Sequence, residues 1–150
     1  MNTADDVKAF TSQKTLALVG VSRNKDAFSS KVFHDLKAKG FKVIPVNPLA
    51  EKIGADVCYP SLGKIPEKAG AVLVFTPPQE TEKIVKEAHA ARIEHIWIQQ
   101  GAESDAALAF CKEKGLKAVS GQCIQMFAEP VKSYHAFHRW IWKVFGKIPK

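Results

Sequence analysis

The segment Thr15–Ser22 constrains the fold of this chain more than any other part of the sequence. It is an apolar run that ends in Gly20 and a small polar residue, and a helical pattern follows it. Such a run is typical of a central parallel strand, because both faces of that strand are buried. A glycine at its end lets the backbone N–H groups of the next turn approach a phosphate. The segment therefore predicts a buried strand followed by a phosphate-binding turn.

Short strand patterns alternate with helical patterns along the rest of the chain. Strands are predicted over 15–21, 41–47, 71–75, 95–98 and 117–120, with a shorter one over 57–59. Helices are predicted over 4–10, from an N-cap at Ser29 or Ser30 to Gly40, over 78–92 and over 103–114. This alternation produces βαβ units with right-handed crossovers. We predict a Rossmann-like α/β fold of three layers, α/β/α, with a mostly parallel sheet of five or six strands.

The composition is that of one globular domain. Its 150 residues suit a single core, and 46% hydrophobic with 25% charged residues is ordinary for such a domain. No apolar run approaches the ~20 residues that span a bilayer, and the N-terminus does not resemble a signal peptide. Cys58, Cys111 and Cys123 fit neither a disulfide framework nor a zinc site. We therefore expect a reduced, cytoplasmic protein.

The C-terminal segment is predicted to be an amphipathic helix, with residues 1–128 as the core domain and 129–150 as its extension. Aromatic and aliphatic residues recur there at helical spacing, mixed with five basic residues of a chain whose net charge is +7. Three roles stay open: packing on its own domain, forming a homodimer, and attachment to a membrane surface. His135 and His138 have no acid or cysteine near them in the sequence, so no metal is predicted. No nucleic-acid motif is present, and no nucleic-acid partner is expected.

The carboxyl ends of the parallel strands form the predicted binding edge, because ligands of such sheets bind where the strand order reverses. The candidate residues at this edge are Gly20, Val21, Ser22, Arg23, Lys25, Asn47, Pro48, Thr76, Pro77, Gln99 and Cys123. Asn47 stands where a dinucleotide-binding fold places an acid that holds a ribose hydroxyl. This residue argues against an NAD(P)-dependent oxidoreductase. That function stays open as an alternative, as does a scaffold that only binds other proteins.

Several motifs in order resemble the small stand-alone CoA-binding domain proteins. These motifs are Leu18-Val-Gly-Val-Ser-Arg23, Val43-Ile-Pro-Val-Asn-Pro48, Cys58-Tyr-Pro-Ser-Leu62, Ile65-Pro66, Trp97-Ile-Gln-Gln-Gly-Ala-Glu103 and Cys123. The family is similar to the N-terminal domain of the succinyl-CoA synthetase α subunit and to NDP-forming acyl-CoA synthetases. The resemblance spans roughly residues 12–127.

The resemblance implies that CoA or acyl-CoA is the ligand. Its phosphates or pantetheine would contact the loop Gly20–Arg23 and the helix start at Ser29 and Ser30, its adenosine side would approach Asn47-Pro48, and Thr76-Pro77 would line the cleft. The chain departs from the family at Leu49, where many relatives have Lys, and the synthetase domain with the phosphorylated histidine is absent from the sequence. We therefore expect binding without complete catalytic machinery.

Two further expectations follow from this resemblance. Gly20→Val should weaken CoA binding far more than it lowers stability, because a side chain would keep phosphate away from the turn. Cys123 is either a packed thiol or a thiol close to the sulfur of CoA, where a mixed disulfide would form.

Overall fold

The computed structural model describes residues 3–122 and residue 124. The predicted C-terminal helix, the boundary at residue 128 and Cys123 lie outside these residues. Four α-helices and seven strands occur in the described part of the chain. In order they are α1 (Ala4–Thr11), β1 (Thr15–Val19), α2 (Phe28–Ala38), β2 (Lys42–Val46), β3 (Lys52–Ile53), β4 (Asp56–Val57), β5 (Ala71–Val74), α3 (Pro78–Ala90), β6 (His95–Gln99), α4 (Asp105–Lys114) and β7 (Lys117–Gln122), with a 3-10 turn at Leu62–Lys64 between β4 and β5.

Five strands form a parallel sheet in the order β2-β1-β5-β6-β7. The remaining two, β3 and β4, form a separate antiparallel hairpin. The predicted Rossmann-like α/β class is confirmed, and the predicted parallel sheet of five or six strands has five. The short strand predicted over 57–59 is reduced to the end of β4 and an isolated bridge between Tyr59 and Val46.

The central strands are buried on both faces, which produces one core on each side of the sheet. Leu16 and Leu18 of β1 point to the side covered by α1 and α2, together with Phe33. Ala17 and Val19 point to the side covered by α3 and α4. The apolar run of β1 is therefore explained by two packing faces, as expected for a doubly wound sheet.

Strand β2 is an edge strand, and it contains a proline. Pro45 pairs with Leu18 of β1, and its carbonyl accepts a hydrogen bond from the Tyr59 N–H on the outer side at 3.0 Å. Its nitrogen, which has no hydrogen, faces that same outer side, so no bond to β1 is lost. The Asn47 N–H donates in turn to the Tyr59 carbonyl at 2.9 Å. Tyr59 thus covers the outer edge of β2.

The helices begin in two different ways. Thr3 caps α1 through a capping box with Asp6, and Ser104 caps α4 by accepting from the Ala107 N–H at 3.1 Å. Helix α2 instead begins after Ala27, and no side chain in the described part of the chain caps it. Helix α3 begins after Pro77, also without a side-chain cap, and Pro78 occupies its first turn as predicted.

The predicted N-cap at Ser29 or Ser30 is wrong, because both serines lie inside the first turn of α2. Asn24 organises the preceding turn: its side-chain oxygen accepts from the Asp26 N–H at 3.0 Å, and its carbonyl accepts from the Ala27 N–H at 3.1 Å. This turn brings the chain into the helix earlier than the serine pattern indicates. Among the described residues, no helix has the length and apolar character needed to cross a membrane.

Candidate functional site

A cleft of about 340 Å³ opens between β1 and β5, where the order of the sheet reverses. The chain leaves β1 toward α2 on one face and leaves β5 toward α3 on the other, which is the crevice where doubly wound sheets bind ligands. The cleft is lined by the ends of β1, β2 and β5, one face of α3 and the segment before the 3-10 turn. The lining residues are Val19, Gly20, Val46, Asn47, Pro48, Leu49, Pro60, Ser61, Phe75, Thr76, Pro77, Glu80, Lys83, Ile84 and Glu87.

Gly20 brings the first turn against the end of β5. Its φ of +94° lies in the region that favours glycine, and its N–H donates to the Val46 carbonyl at 3.0 Å. A Cβ at this position would stand 2.9 Å from the carbonyl carbon of Phe75 and 3.1 Å from the Thr76 nitrogen. Because these are backbone atoms, they cannot move aside cheaply. Gly20→Val should therefore lower stability as well as CoA binding, since the fold itself excludes a side chain here.

Asn47 joins the β1–α2 loop to the end of β2. Its Nδ2 donates to the Val21 carbonyl at 2.8 Å, and its Oδ1 accepts from the Leu49 N–H at 2.8 Å. An ionised aspartate accepts hydrogen bonds but cannot donate, so it would lose the first of these bonds. This position therefore requires a side chain that both donates and accepts, as the amide of Asn47 does.

Cys58 contacts the backbone of the turn at Asn47. Its thiol is buried and donates weakly to the Asn47 carbonyl, with 3.7 Å between sulfur and oxygen. Burial raises the pKa of Cys58, and it raises that of the more deeply buried Cys111 to about 11. Both thiols are therefore protonated at neutral pH and act as packing groups.

The loop after Gly20 satisfies part of its own hydrogen-bonding capacity. The Ser22 N–H donates to Ser29 Oγ at 2.9 Å, and the Asn24 N–H donates to Ser22 Oγ at 3.1 Å. Each serine hydroxyl keeps a hydrogen for a further acceptor, while Arg23 and Lys25 are exposed. The backbone N–H groups at the uncapped start of α2 complete a set of donors beside the cleft.

Thr76 belongs to a short hydroxyl chain that ties β5 to the loop after β6. Thr81 Oγ1 lies 2.6 Å from the Ala102 carbonyl and 2.9 Å from Thr76 Oγ1. The single Thr81 hydrogen is committed to the carbonyl, so the Thr76 hydroxyl donates to Thr81. The oxygen of Thr76 is left to accept a hydrogen bond.

The structure brings together only part of the predicted site. Five predicted residues line the cleft: Gly20, Asn47, Pro48, Thr76 and Pro77. Five others lie on the adjoining loop and helix start without lining it: Val21, Ser22, Arg23, Lys25 and Ser29.

Ser30 and Gln99 are buried away from the cleft lining. The side-chain oxygen of Gln99 accepts from the Ile124 N–H at 3.0 Å, which indicates a structural role.

Sequence reasoning missed the wall that α3 contributes. Glu80, Lys83, Ile84 and Glu87 line the cleft, and their spacing places them on one face of the helix. That spacing is visible in the sequence and follows directly from a helix that begins at the carboxyl edge. Phe75 was also missed; its ring lies 5.9 Å from that of Phe28, which is 47% exposed.

Comparison with known proteins agrees with the motifs. Residues 14–129 match the CoA-binding domain family. The chain belongs to this family. The CoA-binding domain is related to the corresponding part of acetate–CoA ligases, as the resemblance implied.

Three relatives illustrate the range of this CoA-binding domain. The uncharacterised Bacillus subtilis protein YneT is 28% identical over 75% of this chain and 84% of its own length. ADP-forming acetate–CoA ligase II of Archaeoglobus fulgidus is 31% identical over 77% of this chain, but the match spans only 19% of the ligase. A hypothetical protein from Pyrococcus horikoshii has a solved structure with a TM-score of 0.77 and 28% identity, covering 96% of this chain and 93% of its own.

Proposed function

We propose that this chain binds CoA or acyl-CoA in the cleft between β1 and β5. The observation that carries the proposal is the close approach of Gly20 to the backbone of Phe75 and Thr76, at the switch point of a sheet from the CoA-binding domain family. The Gly20 N–H is bonded to Val46, so the donors for an anionic group are those of the loop after it and of the uncapped start of α2.

The phosphates are assigned to the β1–α2 loop and the start of α2. Helix α2 has no acid in its first turn and no side-chain cap, so its first N–H groups and the positive end of its dipole are open to an anion. The hydroxyls of Ser22 and Ser29 add hydrogen-bond donors, and Arg23 and Lys25 add positive charge at the mouth. Together these groups suit a diphosphate.

The two ends of the ligand are assigned to opposite parts of the edge. The adenosine lies toward Asn47, Pro48 and Leu49, and the pantetheine arm runs past Thr76 and Pro77 toward the end of β7. The thiol would then end near Cys123, where CoA should protect that cysteine from alkylation. Labelling that is equal with and without CoA would leave Cys123 as a packing residue.

The proposal is limited to binding, in the cytoplasm, without complete catalytic machinery. The chain spans about a fifth of the length of the acetate–CoA ligases that it matches. An NAD(P) oxidoreductase is disfavoured because Asn47, at the end of β2, holds two loops together and carries no charge.

Thermal unfolding with added ligand tests this function. CoA should raise the Tm, whereas NAD and NADP should not, because a ligand that binds only the folded state stabilises it by about 2.7 kcal/mol at a hundredfold excess over its Kd. Stabilisation by NAD alone would support the oxidoreductase instead. An unchanged Tm with all three ligands would contradict binding and favour the scaffold.

A further inference from the structure

The α3 wall of the cleft consists of Glu80, Lys83, Ile84 and Glu87. It presents two carboxylates and one ammonium group. No residue in the described part of the chain forms an ion pair with any of these three charges. On the same helix, by contrast, Glu82 lies outside the cleft and pairs with Lys86 at 2.9 Å. With two carboxylates and one ammonium group, the wall carries a net excess of one negative charge toward the cleft.

The part of the lining contributed by residues after β2 is uncharged. Pro48, Leu49 and Pro60 line it, and the Leu49 side chain remains 75% exposed. The Asn47 amide is occupied by the Val21 carbonyl and the Leu49 N–H. This part of the lining suits the flat, apolar face of a base and supplies no cation for a phosphate.

A ribose with free hydroxyls and a phosphorylated ribose require different side chains from the protein. A carboxylate accepts hydrogen bonds from ribose hydroxyls, which is how dinucleotide-binding folds hold an unphosphorylated ribose, whereas a phosphorylated ribose calls for an arginine. A phosphate monoester carries a charge of about −1.5 to −2 and can only accept, apart from its residual proton. Beside Glu80 and Glu87 it would be repelled, and one flanked lysine offsets only part of that repulsion.

We infer that this cleft selects an adenosine ligand whose ribose hydroxyls are both free, and so binds 3′-dephospho-CoA more tightly than CoA. The inference rests on the proposed function, because it requires the adenosine to lie in this cleft, with its base against Pro48 and Leu49 and its ribose toward the α3 wall that lines the same cleft. Glu80 and Glu87 act as specificity determinants on α3, in place of the acid that other folds carry after the second strand.

Isothermal titration of the full chain with CoA and with 3′-dephospho-CoA tests the inference, since the two ligands differ only in one phosphate. At low salt, 3′-dephospho-CoA should bind about tenfold more tightly, the size expected for like charges at a partly exposed site. Glu80→Gln combined with Glu87→Gln should reduce this ratio toward one, by raising the affinity for CoA. Glu82→Gln removes a charge from the same helix outside the cleft and should leave the ratio unchanged.

Leu49→Lys provides the converse test, because it adds a cation to the uncharged side of the lining. It should improve the binding of CoA and leave 3′-dephospho-CoA nearly unaffected. Equal or tighter binding of CoA by the unmodified chain would overturn the inference while supporting the proposed function. Binding of neither ligand would contradict the proposed function and the inference with it.

Discussion

The four helices differ in how their first turns are satisfied. Thr3 and Ser104 cap α1 and α4 through their side chains, and acidic residues lie in both first turns. Helices α2 and α3, which follow the two strands beside the switch point, begin after Ala27 and Pro77 without such caps. An N-cap side chain is worth about 1 kcal/mol, so its omission has a stability cost. The difference teaches that at α2, which has no acid in its first turn, donors are left open where the proposed ligand supplies the acceptors, whereas the first turn of α3 contains Glu80.

Gly20→Ala should cause the largest loss of stability among the variants that test this comparison, because Gly20 lies in the turn that leads from β1 to α2. A positive φ costs an L-residue roughly 1–2 kcal/mol, and the contact with the Phe75 backbone adds about 1–3 kcal/mol of overpacking. Gly40→Ala is the control: its φ of +98° is similar, but no atom lies within 4 Å of the added Cβ. Urea denaturation should therefore show a clearly larger loss at Gly20. Equal losses would mean that the close approach is not required.

Asn47→Asp should lower the free energy of unfolding by about 2 kcal/mol at neutral pH, because the Val21 carbonyl loses its donor and faces a carboxylate. Asn24→Asp is a matched control, since the Asn24 side chain only accepts, from the Asp26 N–H. That variant should be nearly neutral. Urea titrations of both proteins check this, and similar losses would show that the donor of Asn47 has no special role.

Ala27→Asp tests the open helix start directly. A new N-cap should raise the free energy of unfolding by about 1 kcal/mol while it competes with the ligand phosphates, so that CoA binds about tenfold more weakly. Ser104→Ala removes a cap away from the cleft and should lower stability by about the same amount, with unchanged affinity. Denaturation and titration calorimetry measure the two effects separately. If the Ala27→Asp protein binds CoA with normal affinity, the phosphates do not bind at the start of α2.

His95 offers a test at the opposite edge of the sheet, where β6 begins. Its Nδ1 is buried without a hydrogen-bond partner among the described residues. Burial lowers its pKa below 6.5; Lys117 acts in the same direction, and Glu94 and Asp6 act against it. The unfolded chain therefore binds more protons below about pH 6.5, so stability should fall as the pH decreases through that point.

His95→Gln should flatten this dependence without changing the affinity for CoA, because the imidazole is remote from the cleft lining. Urea denaturation at pH values on both sides of 6.5 checks whether the pH dependence of stability is flattened. Parallel pH profiles for the two proteins would contradict the assignment to His95.

The sheet was predictable from sequence because strands buried on both faces leave continuous apolar runs, as in β1 and β5. Strands β3 and β4 have only two residues each, which is too few to leave a recognisable pattern in the sequence. For the site, the sequence indicates which segments lie at the carboxyl edge of the sheet, but it does not indicate which group each amide side chain bonds to. Gln99 reaches the edge and is held by Ile124, whereas Asn47 remains in the cleft lining.

Pro45 has a consequence for how copies of this chain can associate. An incoming strand at the outer side of β2 would meet a residue with no N–H to offer, and it would find the Pro45 carbonyl and the Asn47 N–H already bonded to Tyr59. Unpaired sheet edges are common routes to uncontrolled polymerisation. The carboxyl end of β2 is therefore closed to a second molecule that would extend the sheet through backbone hydrogen bonds.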